Sequence, residues 1–192
     1  MPLEIEVKFR VDSHDGVRAK LARLGAARVG AVLEANHIFD KADRSLSAAD
    51  CGLRVRTMTA FDGGPRTATL TFKGPRQPGP FKAREEIETA IGDADAAGAI
   101  LTSLGFVEAV SYEKRRETWR LGDCEIELDE LPHLGRYVEI EGPDETAVRA
   151  ARESLGLRDA ASIRETYIAL VVQHCREHGR PNRLTFDRPP NA

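Results

Sequence analysis

The stretch Leu3-Glu4-Ile5-Glu6-Val7-Lys8-Phe9-Arg10-Val11 alternates strictly between apolar and charged residues. In an extended strand, Ile5, Val7, Phe9 and Val11 share one face, while Glu4, Glu6, Lys8 and Arg10 share the other. The same period of two returns at Leu53–Thr57, Thr67–Lys73, Arg84–Ala90, Tyr112–Leu121, Cys124–Asp129 and Arg136–Glu141. Asp62-Gly63-Gly64-Pro65 reads as a hairpin turn and the run from 74 to 80 (GPRQPGP) as a loop.

Helical spacing separates these strands. Asp12 or Ser13 can cap a helix through Val17, Leu21 and Leu24; a second runs from about Asp93 through Leu101, and a third from about Glu145 through Val148 and Leu155. Gly25, Gly105 and Gly156 supply the left-handed residue that ends each of them. Ser162 and Glu165 form an S-x-x-E capping box, which predicts a fourth helix from Ser162 through Tyr167, Leu170 and Val171. The triplet Glu-Ile-Glu recurs at 4–6, 86–88, 125–127 and 139–141, at shrinking intervals that argue against a solenoid. Together these features predict an α+β fold, a mostly antiparallel sheet with helices packed outside it. From about residue 173 the chain turns polar and Pro-rich, and its last dozen residues are expected to fray.

Composition narrows the partners. Hydrophobic residues make up 41% and charged residues 31%, with a net charge of −3. No bulk field favours nucleic acid or an anionic membrane, so neither is expected as a partner. No run approaches the roughly 18 apolar residues of a membrane span. Cys51, Cys124 and Cys175 are dispersed, and no apolar leader follows Met1, so a cytoplasmic location with reduced thiols is expected.

The charged faces carry the functional signal. Arg54 and Arg56 share a face, as do Arg84, Glu86 and Glu88, Lys114 and Arg116, and Tyr137, Glu139 and Glu141. Lys73 ends a face otherwise made of threonines. A single such strand normally turns its polar side to water. If the strands curl into a barrel under the helices, these faces point into the lumen. Burying both signs there is costly without an occupant. A polyanion with divalent cations fits, because Arg and Lys hold phosphate oxygens and carboxylates hold Mg2+ or Mn2+.

Glu4-x-Glu6-x-Lys8 resembles the ExExK signature of the CYTH, or triphosphate tunnel metalloenzyme, superfamily. Further motifs follow in that family's order: Asn36-His37-Ile38-Phe39-Asp40, Leu53-Arg54-Val55-Arg56, Phe72-Lys73-Gly74-Pro75 and Arg84-Glu85-Glu86-Ile87-Glu88. Glu113-Lys114-Arg115-Arg116, Leu128-Asp129-Glu130, the run 134–141 and Glu165-Thr166-Tyr167 complete the set. The resemblance covers residues 1–172, leaving 173–192 as a helix end and an expected disordered tail. It implies a closed tunnel of eight antiparallel strands. Glu4, Glu6 and Glu139 look like ligands for Mg2+ or Mn2+, with Glu86, Glu88 and Glu141 as helpers. Lys8, Arg54, Arg56, Lys73, Arg84, Lys114 and Arg116 look like the phosphate cradle. Asp129 stands where the family keeps an acidic residue near the reaction centre, so Lys8, Lys114, Arg116 and Asp129 are the catalytic candidates.

Within the family the motifs look most like class IV adenylyl cyclases, which would convert ATP to cyclic AMP and pyrophosphate. The alternative is a triphosphatase acting on tripolyphosphate, thiamine triphosphate or a nucleotide, since both reactions need the same cradle and no residue set reads as an adenine pocket. A non-catalytic polyphosphate-binding module would lack a carboxylate, whereas this acidic set looks complete. The expected partner is a small triphosphate, and the chain a monomer or homodimer. No GxxxxGK[ST] or GxSxG motif occurs. His174 and His178, one helical turn apart around Cys175, read as solvated side chains; His37 reads as shaping a strand or tunnel mouth, and Trp119 as a packing residue.

Overall fold

Each stretch read as a strand contains one in the computed structural model, which describes residues 5–76 and 84–187, although the strand expected from Arg84 starts at Glu86. The strands are β1 (Ile5–Val11), β2 (Ala27–Lys41), β3 (Gly52–Ala60), β4 (Thr67–Lys73), β5 (Glu86–Ala90), β6 (Phe106–Leu121), β7 (Cys124–Leu131), β8 (Gly135–Gly142), β9 (Ser162–Ile163) and β10 (Arg183–Leu184). The helices are α1 (Asp15–Arg23), α2 (Ser45–Ala48), α3 (Ala94–Ser103), α4 (Glu145–Ser154) and α5 (Tyr167–Glu177). One sheet runs in the order β5-β4-β3-β2-β6-β7-β8-β1-β9, and β10 lies parallel to β6. The strand β2 was not anticipated. Its Ala31-Val32-Leu33 run breaks the alternation, yet β2 pairs with β6 from Ala27 to Lys41 and with β3 from Val32 to Phe39.

The strands form one curled sheet, and among the described residues hydrogen bonds do not close it into the expected eight-stranded barrel. Among the described residues, β1 and β5 share no ladder. The second edge of β1 is taken by β9, with Lys8 opposite Ile163 and Phe9 opposite Ser162. The curl still brings the sheet's ends together, because Glu6 on β1 lies close enough for its charge to act on Lys73 of β4.

Helix ends follow local chemistry. Asp93 accepts from the backbone N–H groups of Asp95 and Ala96, and Asp144 from that of Ala147. Gly25, Gly105 and Gly156 all take positive φ, as the helix stops require. The capping box at Ser162 loses to tertiary pairing: Ser162 joins β9, and Thr166 caps α5 through the N–H of Ala169.

The apolar faces pack in three groups. Phe9, Ile126, Leu128, Val138 and Ile140 form the convex core with Val17 and Leu21 of α1 and Val148 and Ala151 of α4. Leu101 of α3 covers Phe39 and Val55. The third group departs from the expectation that helices lie outside. Tyr167, Val171 and Cys175 of α5 pack on Ile38, Val110, Tyr112, Leu131 and Tyr137. By strand parity these belong to the same face as Arg54, Lys114, Asp129 and Glu139, so α5 caps one end of the concave side. Beyond α5 the chain forms β10 against β6. Leu184 is buried, and the Phe186 N–H donates to Glu113. Residues 188–192 lie outside the described residues. No described helix is long and apolar enough to cross a membrane.

Candidate functional site

Cross-strand register builds the site. In an antiparallel ladder, directly opposed residues share a face. Starting from β1, Glu6 opposes Glu141 and Lys8 opposes Glu139. Glu139 opposes Glu127, and Tyr137 opposes Asp129. Asp129 opposes Arg116, Lys114 opposes Glu34, and Asn36 opposes Arg56. Arg56 opposes Thr69, Arg54 opposes Thr71, Thr71 opposes Glu88, and Lys73 opposes Glu86. One continuous row of charges thus crosses eight strands on the concave face.

The centre of this row is a dense ion-pair network. Arg116 donates from Nε to Asp129 Oδ1 at 2.7 Å and from Nη2 to Asp129 Oδ2 at 2.6 Å. Its Nη2 also reaches Glu139 at 2.8 Å, and Nη1 donates to Glu127. Lys114 Nζ lies 3.1 Å from Asp129 and 3.4 Å from Glu34; Lys8 Nζ lies 3.3 Å from Glu139. The Tyr167 hydroxyl donates to Asp129 at 2.8 Å, and the Tyr167 ring lies 3.9 Å from Lys8 Nζ and 5.0 Å from Lys114 Nζ. Toward β5 the network thins. Arg56 contacts Glu34 at 3.2 Å and Asn36 at 2.8 Å, Arg54 reaches Thr71 at 3.3 Å, and Lys73 pairs with Glu86.

Burial and charge act against each other here. Burial disfavours the Glu34 carboxylate, but Lys114, Arg56 and Arg116 outweigh it and hold its pKa down at about 2. Asp129 is likewise held below its ordinary value by Arg116 and Lys114 against burial. Glu139 falls too, despite burial and the nearby Glu6 charge, because of Lys8, Arg116 and Lys114. Glu127 goes the other way: burial, reinforced by Asp129 and Glu139, raises it well above the usual carboxylate range despite Arg116. Burial lowers Lys73, helped by the like charge of Arg54.

A metal has a matching set of donors. Carboxylate oxygens of Glu127, Asp129 and Glu139 lie within 4.8 Å of one another, all buried. An all-oxygen set of this kind suits hard cations such as Mg2+ or Mn2+.

Of the residues anticipated from sequence, Lys8, Lys114, Arg116, Asp129 and Glu139 meet in the network. Arg54, Arg56 and Lys73 continue the row, with Glu86 and Glu88 at its β5 end rather than beside Glu139. Glu6 and Glu141 face each other at the β1–β8 ladder. Glu4 lies outside the described residues. Arg84 precedes β5, and its charge acts on Asp50 in the turn before β3. His37 contacts Glu108 at 2.7 Å, and Trp119 packs against the convex core.

The sequence reading missed Glu34, Glu127, Asn36 and Tyr167 as site members. Glu127 sits in the third Glu-Ile-Glu triplet, which was the available signal. Glu34 had none once β2 went unread, and the ring of Tyr167 enters only because α5 turns inward.

Known proteins place this geometry. A family model described as the CYTH domain matches residues 2–167. A candidate adenylate cyclase of Methanocaldococcus jannaschii is 32% identical over 139 residues, covering 72% of this chain and 76% of that one. The Aeromonas hydrophila protein named adenylate cyclase CyaB is 30% identical over 142 residues, 71% of this chain and 67% of its own. A Pyrococcus horikoshii protein of solved structure superposes with a TM-score of 0.77 at 27% identity, covering 89% of this chain and 99% of that one. The charged row and the extent of these matches lead to one conclusion: the chain belongs to the CYTH domain family.

Proposed function

We propose that this chain is a divalent-cation-dependent enzyme acting on triphosphate compounds, and that its reaction is the conversion of ATP to cyclic AMP and pyrophosphate. The observation that carries the reading is the unbroken concave row from Lys8 to Lys73, in which cations of the phosphate-binding kind alternate with carboxylates. Such a row is a poor way to make a core, since removing each ion from water costs several kcal/mol. It is a good way to hold a chain of phosphates. The adenylate cyclase names of the M. jannaschii and A. hydrophila relatives favour cyclisation over hydrolysis.

In this reading Arg54, Arg56 and Lys73 grip the outer phosphates, and Lys8, Lys114 and Arg116 face the phosphorus that reacts. The ribose 3′-hydroxyl gives up its proton to water as it attacks the α-phosphorus, the bond to the bridging oxygen breaks, and pyrophosphate leaves with the electron pair. Asp129 positions Lys114 and Arg116 by accepting from both, and Tyr167 closes the site on the α5 side. Glu6 and Glu139, with Glu127, Asp129 and Glu141 and with Glu4 of the ExExK signature, would hold Mg2+ or Mn2+. A bound ion supplies Lewis-acid neutralisation of the phosphate oxygens. Glu86 and Glu88 instead pair with Lys73 and Arg54 and set how firmly those two cations are held.

Incubation of purified protein with ATP, and separately with tripolyphosphate, in Mg2+ or Mn2+ tests this. Cyclic AMP with pyrophosphate is the expected product. Inorganic phosphate without a cyclic product would replace cyclisation by hydrolysis, and binding without turnover would reject the enzyme reading. Glu6→Gln should abolish metal-dependent turnover while the far-ultraviolet circular dichroism stays unchanged.

A further inference from the structure

Two side chains on the concave face of β3 and β4 keep hydrogen-bonding capacity that the fold does not use. Among the described residues, Arg54 Nε and Thr69 Oγ1 are buried side-chain atoms without a hydrogen-bond partner. Buried polar atoms are normally paired, because an unmade bond loses hydration and gains nothing in return.

The neighbours of both residues are already engaged. Arg56, directly opposite Thr69, turns its guanidinium to Asn36 at 2.8 Å and to Glu34 at 3.2 Å. On its other side Thr69 opposes Ala90, whose side chain carries no polar atom. Thr71, opposite Arg54, donates its hydroxyl proton to Glu88 at 2.7 Å and accepts from Arg54 Nη2 at 3.3 Å. Arg54 is therefore held through Nη2, and its Nε–H remains over. Thr69 and Arg54 are diagonal neighbours on one face of the β3–β4 ladder. Such positions lie about 7–8 Å apart, a span that one phosphate group with a hydrogen bond on each side can bridge.

The donors name the ligand class. Arg54 Nε can only donate, so the group that completes it is an acceptor, and a threonine hydroxyl can donate to that same group. We propose that Thr69 is a further substrate-binding residue, whose hydroxyl donates to the outer phosphate that Arg54 holds through Nε. Burial and the like charge of Arg56 make the Arg54 cation less stable than usual, and an anion placed beside it offsets both. The sequence shows Thr69 only as one of the threonines leading to Lys73; its lack of a partner is a tertiary property.

This inference rests on the triphosphate reading, and its test separates the two. Tripolyphosphate in Mg2+ is titrated calorimetrically into wild type, Thr69→Val and Thr69→Ser. Valine keeps the branched shape without the hydroxyl, and serine keeps the hydroxyl. Affinity should fall at least about tenfold in Thr69→Val and recover to within about threefold of wild type in Thr69→Ser, the scale of a hydrogen bond to a charged group. Arg54→Lys keeps the charge but loses the Nε donor, so Thr69→Val should weaken binding less on that background than in wild type. Without ligand, Thr69→Val should have an unchanged or higher Tm, because the lost hydroxyl makes no bond there. Failure of tripolyphosphate to bind wild type would overturn the triphosphate reading and this inference with it. Wild-type binding with equal affinity in Thr69→Val, strict additivity with Arg54→Lys, or a clear fall in ligand-free Tm would overturn this inference alone.

Discussion

The two halves of the concave row differ more than their residue types suggest. On β6, β7, β8 and β1, Lys8, Lys114, Asp129 and Glu139 are nearly sealed from water, with Asp129 at 0% exposure. On β4 and β5 the same kinds of residue are wetter: the side chains of Lys73 and Glu88 are 30% and 49% exposed. The sealed half is cross-linked by a carboxylate on nearly every cation, so it is preorganised and its geometry is part of the fold. The wet half is held by single pairs and can exchange its partners for those of an incoming anion. On the proposed function the two sides divide the labour: the sealed side would fix the reacting geometry and the wetter side would admit and release phosphate.

The most severe way to break this comparison is Asp129→Asn. Loss of that charge leaves Lys114, Arg116 and Tyr167 short of a partner in a dry site, and a cost of about 3 kcal/mol or more is expected in urea unfolding. Turnover should vanish with it. A stability loss below about 1 kcal/mol would mean the network is not part of the fold.

Acid should act on the same half. The Glu34 pKa is held at about 2, below the ordinary glutamate value of 4.5, so its contribution is complete above pH 4.5 and disappears as pH falls through about 2. The shift corresponds to roughly 3 kcal/mol. Glu34→Gln should flatten the unfolding free energy in that window relative to wild type, and parallel curves would refute the assignment. Glu127 has the opposite sign: its raised pKa takes stability away as pH rises, so Glu127→Gln should remove that part of the pH dependence.

The wet half should separate function from stability. Lys73→Ala is expected to lower turnover at least about tenfold, the usual scale for a lost charge-stabilising donor, while changing stability by less than about 1 kcal/mol. Equal damage to both would erase the distinction between the halves. Glu88→Gln, half-exposed and paired to Arg54 at 3.6 Å, should shift stability by no more than about 0.5 kcal/mol.

Local pattern made much of this legible. Thr67–Lys73 is bounded in the structure as alternation bounds it, and the Gly stops of the first three helices hold. What pattern could not show was determined by distant partners. Ser162 carries a sound capping box, but pairing with β1 is worth more than a helical start. Ala27–Lys41 begins exposed, has the apolar run Ala31-Val32-Leu33 and ends with Ile38, Phe39 and Asp40 buried in succession, so it lacks the simple alternation of a half-buried strand, and Glu34 was lost with it. Closure of the barrel was expected from the charged faces and from the family resemblance, whereas the second edge of β1 is taken by β9. The inward turn of α5 is likewise invisible locally, because an apolar stripe at Tyr167, Val171 and Cys175 fits either side of a sheet.

Calorimetric titration of tripolyphosphate in Mg2+ into wild type and into Arg56→Ala tests the central claim, that the concave row is the triphosphate site. Arg56 joins the two halves and keeps none of its charge in the variant, while Glu34 retains Lys114 and Arg116. At least about tenfold weaker binding is predicted, in line with the strength of an Arg–phosphate pair. Equal affinity in the folded variant would contradict it.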